Sequence, residues 1–212
     1  MNICYVICAL DFKLDFVLDK NDFVIGADKG YLTLMKNDID PDLIIGDFDS
    51  SKMPDKLDNV IVYPVKKDFT DSALAIDYAI NKGYSKILVY GAIGGLLDHT
   101  LANIAVLASA TKKGIDIGFV DNENIIFAVN NGKITFDSNA TGRISVFSFG
   151  DRAEAVYEKG FLYELDNATL FADMPLGVSN EFIGKESSIS VENGTLLIYT
   201  SKENYDRHLT RL

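Results

Sequence analysis

With 212 residues, 48% of them apolar, the chain is long enough for one large domain or two small ones and too apolar to be disordered. A formal charge of −11, with no long cluster among its 20 Lys and Arg, argues against a surface that grips a nucleic-acid backbone and points to small-molecule partners. No apolar run reaches the length of a membrane span, and the amino terminus lacks the basic-then-apolar pattern of a secretory signal, so the expected location is the cytoplasm.

Residues 1–9 form a continuous apolar run that suits a buried first strand, and residues 23–27 suit a second. Cys4 and Cys8, four apart in that first strand, would be separated by roughly 13 Å, beyond disulfide reach. They read as small buried hydrophobes, and a content of only two Cys and two His argues against a structural zinc site. After Asp28-Lys29-Gly30, the spacing of Leu32, Met35 and Ile39 predicts a helix that leads through Pro41 into the strand 42–46. A strand over 60–65 follows. Thr70 is placed to cap a helix running to about Lys82, where Gly83 stops it. Residues 87–90 make a further strand, and Leu97, Leu101, Ile104, Ala105 and Ala108 mark one face of a helix ending near Gly114. Residues 115–120 close the sheet. Alternating strands and helices predict an α/β domain with an open parallel sheet over residues 1–122.

From residue 124 the pattern changes. Short β-prone segments at 125–129, 133–136, 143–147, 153–157, 188–191 and 196–200 are separated by turn signals such as Asn131-Gly132 and Asn193-Gly194. An all-β sandwich over residues 123–212 is the expectation, with 204–212 as a short exposed tail.

The chemistry concentrates where strands end. Asp47 and Asp49, one residue apart after an apolar strand, read alone either as turn caps or as ligands for a cation. Three further clusters, at Asp28, at Asp68 with Asp71, and at 91–98, occupy the same place in successive units, and a parallel sheet brings such ends to one edge. Converging carboxylates repel one another unless a divalent cation sits among them, and oxygen donors without His or Cys suit Mg²⁺. The Gly94-Gly95 turn before a helix offers backbone N–H groups to a phosphate, although it matches neither the Walker A loop nor the dinucleotide fingerprint.

Together these residues resemble the signature of thiamine pyrophosphokinases of bacterial type. The likeness rests on 27–30, on Pro41-Asp42 with 45–50, on Lys67-Asp68 with Thr70-Asp71, on Gly91 with Gly94-Gly95 and Asp98-His99 through Asn103, and on 160–165 and 177–182 in the second half. The resemblance implies transfer of a diphosphoryl group from ATP to the hydroxyl of thiamine, releasing AMP, in a homodimer whose active sites use both domains. It implies Asp47, Asp49 and Asp71 as catalytic residues holding Mg²⁺ and the ATP polyphosphate, one of them handling the hydroxyl proton. Asp28, Lys67, Asp68, Thr70, Gly94, Gly95, Asp98 and His99 would line the ATP site, while Ser179 and Asn180 would hydrogen-bond thiamine. Residues 1–122 would then be the ATP and Mg²⁺ domain, and 123–212 the thiamine-binding and dimerisation domain.

Two positions depart from the pattern the family implies. Lys29 stands where many members have glycine and is placed to reach a phosphate, and Leu96 replaces the arginine common after the double glycine. The chain also has no Trp to stack on thiamine. Three other readings stay open at this stage: a related pyrophosphokinase acting on another heterocyclic alcohol such as a hydroxymethylpterin, a degenerate thiamine- or nucleotide-binding protein, and a purely structural dimerisation module.

Overall fold

The computed structural model describes residues 2–48, 59–66 and 68–212. Asp49 and Lys67 therefore lie outside the described residues. The chain is a mixed α/β protein that divides into two compact units, Met1–Val106 with Gly114–Asp121, and Leu107–Lys113 with Asn122–Leu212. Among the described residues no helix is long and apolar enough to cross a membrane.

Among the described residues of the first unit, six strands, β1 (Cys4–Ile7), β2 (Phe23–Ala27), β3 (Leu43–Gly46), β4 (Val60–Val62), β5 (Lys86–Tyr90) and β6 (Asp116–Asp121), lie in the order β6-β5-β1-β2-β3-β4. All five pairings are parallel. Strands β1, β3 and the later part of β2 are buried along their length, which is why they read as unbroken apolar runs. The chain steps outward from β1 to β4 and then returns to place β5 on the other side of β1. That reversal opens a crevice beyond the carboxyl ends of β1 and β5. The long β1–β2 connection is pinned beside it: Phe12 and Phe16 each lie 5.0 Å from the Tyr90 ring, and the Tyr90 hydroxyl donates to Asp15 Oδ1 at 2.9 Å.

The helices form where expected, but two of them bury a different face. In α1 (Gly30–Lys36) the buried residues are Gly30, Tyr31 and Leu34, while Leu32 and Met35 are exposed. A Cβ on Gly30 would lie 1.8 Å from the Ile7 carbonyl oxygen, so the close approach of this glycine to β1 sets the helix phase. In α3 (Leu97–Lys112) the expected stripe fails at its start, with Leu97 73% and Leu101 59% exposed; Asn103, Leu107 and Ala110 are buried instead. Asn103 donates to the Ala92 carbonyl at 2.7 Å and thereby fixes the rotation of α3. α2 (Asp71–Asn81) matches its signals. Thr70 caps it by accepting from the Ala73 N–H at 3.2 Å, and Gly83 beyond its end has φ +91°.

The second unit is antiparallel. β7 (Asn124–Phe136), β8 (Arg143–Lys159) and β11 (Ser187–Ser201) pair in the order β8-β11-β7; β12 (Leu209–Arg211) adds to β7, and β9 (Leu165–Phe171) and β10 (Gly177–Glu181) both pair with β8. The expected hairpin turns at Asn131-Gly132 and Asn193-Gly194 are instead bulges inside single long strands. Register shifts between Val191 and Thr195 against β7, and between Asn193 and Thr195 against β8, so three strands bend at one level. Asn side chains stitch the bend: Asn131 Oδ1 accepts from the Gly194 N–H at 2.8 Å, and Asn193 donates to Glu154 Oε2 at 2.9 Å. The 204–212 segment is not a loose tail. Tyr205 is buried 5.1 Å from the Phe127 ring, Asn204 donates to the Thr141 carbonyl at 2.9 Å, and β12 pairs with β7.

Candidate active site

The crevice at the strand ends holds a cavity of about 460 Å³. Its floor is Cys8 after β1, Ala27 and Asp28 at the end of β2, and Gly91 and Ala92 after β5; one wall is the 68–72 segment entering α2. Gly95, Leu96, His99 and Asn103 supply the other. Gly91 is required by geometry: its φ is +67°, and a Cβ there would lie 2.6 Å from the Leu10 carbonyl oxygen.

A hydrogen-bonded chain braces the walls. Ser72 donates to Asn103 Oδ1 at 2.7 Å, Thr70 and Ser72 hydroxyls lie 3.0 Å apart, and Asn103 reaches the Ala92 carbonyl. Ser72 and Asn103 are not among the site residues expected from the sequence; Asn103 enters there only as the end of the 98–103 motif, and its buried amide shows its role through the bonds it makes.

The acids are arranged quite differently. Asp28 has a left-handed backbone, φ +49°, and its Oδ1 is buried without a hydrogen-bond partner. Burial pushes its carboxyl above the usual range, the Lys29 N–H and ammonium work against that, and the charges of Asp71 and Asp47 push it further up. Asp71 and Asp47 are thus near enough for their charges to act on Asp28. Among the described residues no three His, Cys, Asp or Glu side chains are gathered tightly enough to hold a metal, and Asp49 lies outside them. Cys8 is no nucleophile, because burial pushes its thiol up to about 12, helped by Asp71 and Asp28.

Of the residues expected to line the ATP site, Asp28, Asp68, Thr70, Gly95 and His99 border this cavity, and so does Asp71 of the expected catalytic and metal-holding set. Asp47 follows β3, half-buried and coupled to Asp28, and Lys29 precedes α1. Neither Lys29 nor Gly94 is part of the cavity wall; Gly94 is exposed with φ +97°. Asp98 is exposed and spends Oδ1 on the His99 N–H at 2.8 Å, a local first-turn bond. Leu96, where a cation was missing, is exposed at the rim.

Ser179 and Asn180 lie on β10 in the second unit and differ sharply. Ser179 is exposed with φ +59°. Asn180 is 4% exposed and fully engaged: it donates to Glu158 Oε2 at 2.9 Å and to the Tyr163 carbonyl at 2.7 Å, and its Oδ1 accepts from the N–H groups of Tyr163 at 3.0 Å and Glu181 at 2.9 Å. Its amide has no bonding capacity left for a ligand in this arrangement.

Comparison with known proteins bears on both regions. Residues 14–119 match the model of the thiamin pyrophosphokinase catalytic domain, and residues 129–196 that of the thiamin pyrophosphokinase vitamin B1 binding domain. Thiamine pyrophosphokinase of Bacillus subtilis is 32% identical over 192 residues, spanning 87% of this chain and 90% of that one. The chain belongs to the thiamine pyrophosphokinase family. Crystal structures of family members superpose closely: that from B. subtilis with a TM-score of 0.83 at 28% identity, covering 94% of this chain and 99% of that one, and that from Geobacillus thermodenitrificans with 0.81 at 26%, covering 94% and 97%. The family's catalytic segment contains the cavity's acids and the Ser72–Asn103 brace, and its B1-binding segment contains Glu158, Ser179 and Asn180.

Proposed function

We infer that this chain is an ATP:thiamine diphosphotransferase, transferring the diphosphoryl group of ATP to thiamine and releasing AMP. The observation that carries this is the acid-lined cavity at the strand-order reversal, within the segment matching the family's catalytic domain. The thiamine hydroxyl oxygen bonds to the β-phosphorus, the bond from that phosphorus to the α–β bridging oxygen breaks, and the hydroxyl proton passes to a carboxylate among Asp47, Asp49 and Asp71. Such transfers depend on positioning and charge neutralisation.

A bound Mg²⁺ would supply that neutralisation, and the donor set suits it. All-oxygen donors, and an orphaned buried oxygen on Asp28 whose carboxyl is raised by burial and then by the charges of Asp71 and Asp47, are what a hard cation relieves. Asp47, Asp49 and Asp71 would hold the ion. Asp28, Lys29, Lys67, Asp68, Thr70, Gly94, Gly95, Asp98 and His99 would receive the nucleotide, with Lys29 and Lys67 as the cations that stand in for the arginine absent at Leu96. Ser179 would meet thiamine directly, and Asn180 would act by holding Ser179's strand.

The finer architecture follows the same reading: an open Rossmann-like sheet over 1–122 for ATP, and a sandwich over 123–212 for thiamine and homodimer formation, in a cytoplasmic enzyme. The bends shared by β7, β8 and β11 support the sandwich, since they let one set of strands fold across two layers. The test is incubation with Mg²⁺, ATP and thiamine, following AMP and thiamine diphosphate together, with a hydroxymethylpterin as a parallel acceptor. The two products are expected in step. ATP binding without thiamine turnover would overturn the reading.

A further inference from the structure

Glu158 sits on β8 at 1% exposure, the one buried acidic residue among the described residues. Its Oε1 has no hydrogen-bond partner, and its Oε2 takes only the Asn180 amide. Its strand neighbours Ile189 on β11 and Leu165 on β9 are apolar. Charged groups on the packed segments face solvent instead: Lys159 pairs with Asp166 at 3.0 Å and Glu164 at 3.8 Å, and Glu181 on β10 and Glu186 before β11 are exposed, as is the Tyr163 phenol. Asn180 in turn grips both backbone groups of Tyr163 and the Glu181 N–H, and Leu162 N–H donates to the Glu181 carbonyl at 3.0 Å. The turn at 160–164 and β10 are thus one clamped unit whose innermost member is a carboxyl.

We propose that Glu158 is a positioning residue for the acceptor side of the reaction: through Asn180 it holds the 160–164 turn against β10, and loss of its proton releases that clamp and weakens binding of the heterocyclic alcohol at Ser179. This rests on the acceptor assignment above. The protonated acid accepts the Asn180 bond without placing a charge among Ile189 and Leu165, whereas the carboxylate has one bond and no counter-charge and is driven toward water. Burial pushes this carboxyl up to about 7, with the Asn180 bond opposing, so the release falls near neutral pH.

Amide hydrogen exchange and steady-state kinetics test it on the full chain. From about pH 6 to about pH 8 the protection of the Tyr163 and Glu181 amides, corrected for intrinsic exchange, is expected to fall roughly tenfold. The thiamine KM should rise severalfold over the same interval while the ATP KM stays level. Glu158→Gln keeps an oxygen for Asn180 but has no proton to lose, and should flatten both profiles. The wild-type series stands even if that variant misfolds. Flat wild-type protection, equal slopes in wild type and variant, or a responsive clamp with an unresponsive thiamine KM would each overturn the proposal. Absence of thiamine diphosphate at every pH would overturn the acceptor assignment itself, visibly apart from the exchange result.

Discussion

The cavity at the parallel strand ends and the clamp beside β10 both gather polar side chains, and they dispose of them in opposite ways. In the cavity, Asp28 keeps a buried oxygen unpartnered among like charges, and Gly95 and His99 stand exposed on the wall. In the clamp, Asn180 spends both donors and both acceptor positions inside the chain. Unrelieved electrostatic tension marks where a ligand must enter, whereas complete satisfaction marks where the chain holds itself. Glu158 belongs to neither class, being half satisfied in an apolar setting.

The sharpest way to break the comparison is to remove charge from one side and bonding from the other. Asp71→Asn should reduce turnover roughly 10²–10³-fold, the usual range for deleting one electrostatic contact to the transition state, with the circular dichroism spectrum and melting temperature unchanged or improved. Unaltered turnover would show Asp71 to be a solvated helix-start residue. Asn180→Ala should do the reverse, losing about 2–4 kcal/mol in urea unfolding because it strands Tyr163, Glu181 and Glu158 at once. A stable Asn180→Ala protein whose only defect is a raised thiamine KM would show that Asn180 contacts the ligand after all.

The same contrast explains what could be read from the sequence. Strand ends and loop acids were legible because an apolar run broken by Asp or Gly has few other uses, and Asp28, Asp68, Thr70 and Asp71 do converge on one cavity. Helix phase was not, since α1 and α3 carry apolar residues on more than one side and the choice is made by Gly30 against β1 and Asn103 against Ala92. Asn-Gly pairs spell hairpin turns locally, but here the flanking segments pair in register on both sides of a shared bulge, and tertiary pairing wins. Glu158 gave no signal, because an acid in an alternating strand ordinarily faces water.

Stability against pH sharpens the comparison at a smaller scale. The folded Glu158 carboxyl lies at about 7 against an ordinary 4.5, so the native state binds more protons between those values. Its contribution is fully present below 4.5 and is lost as pH rises to about 7. Asp28 is raised as well and acts in the same direction. Urea midpoints should therefore fall over this interval, by about 2 kcal/mol of unfolding free energy. Glu158→Gln should remove most of that slope, and Asp28→Asn the remainder; a slope unchanged in both variants would place the titration elsewhere.

The smallest effect lies where the two kinds of site meet in one residue. The Thr70 hydroxyl is satisfied like the clamp, accepting from Ala73 and lying within hydrogen-bond distance of Ser72, yet it borders the cavity like the acids. Thr70→Ala should cost about 1 kcal/mol, the ordinary value of a helix cap, and Thr70→Ser should restore it. If capping is all Thr70 does, the ATP KM of the alanine variant stays at the wild-type value. If the hydroxyl also meets the nucleotide, the ATP KM rises in the alanine variant and recovers in the serine one, because the hydroxyl and not the methyl group carries both roles.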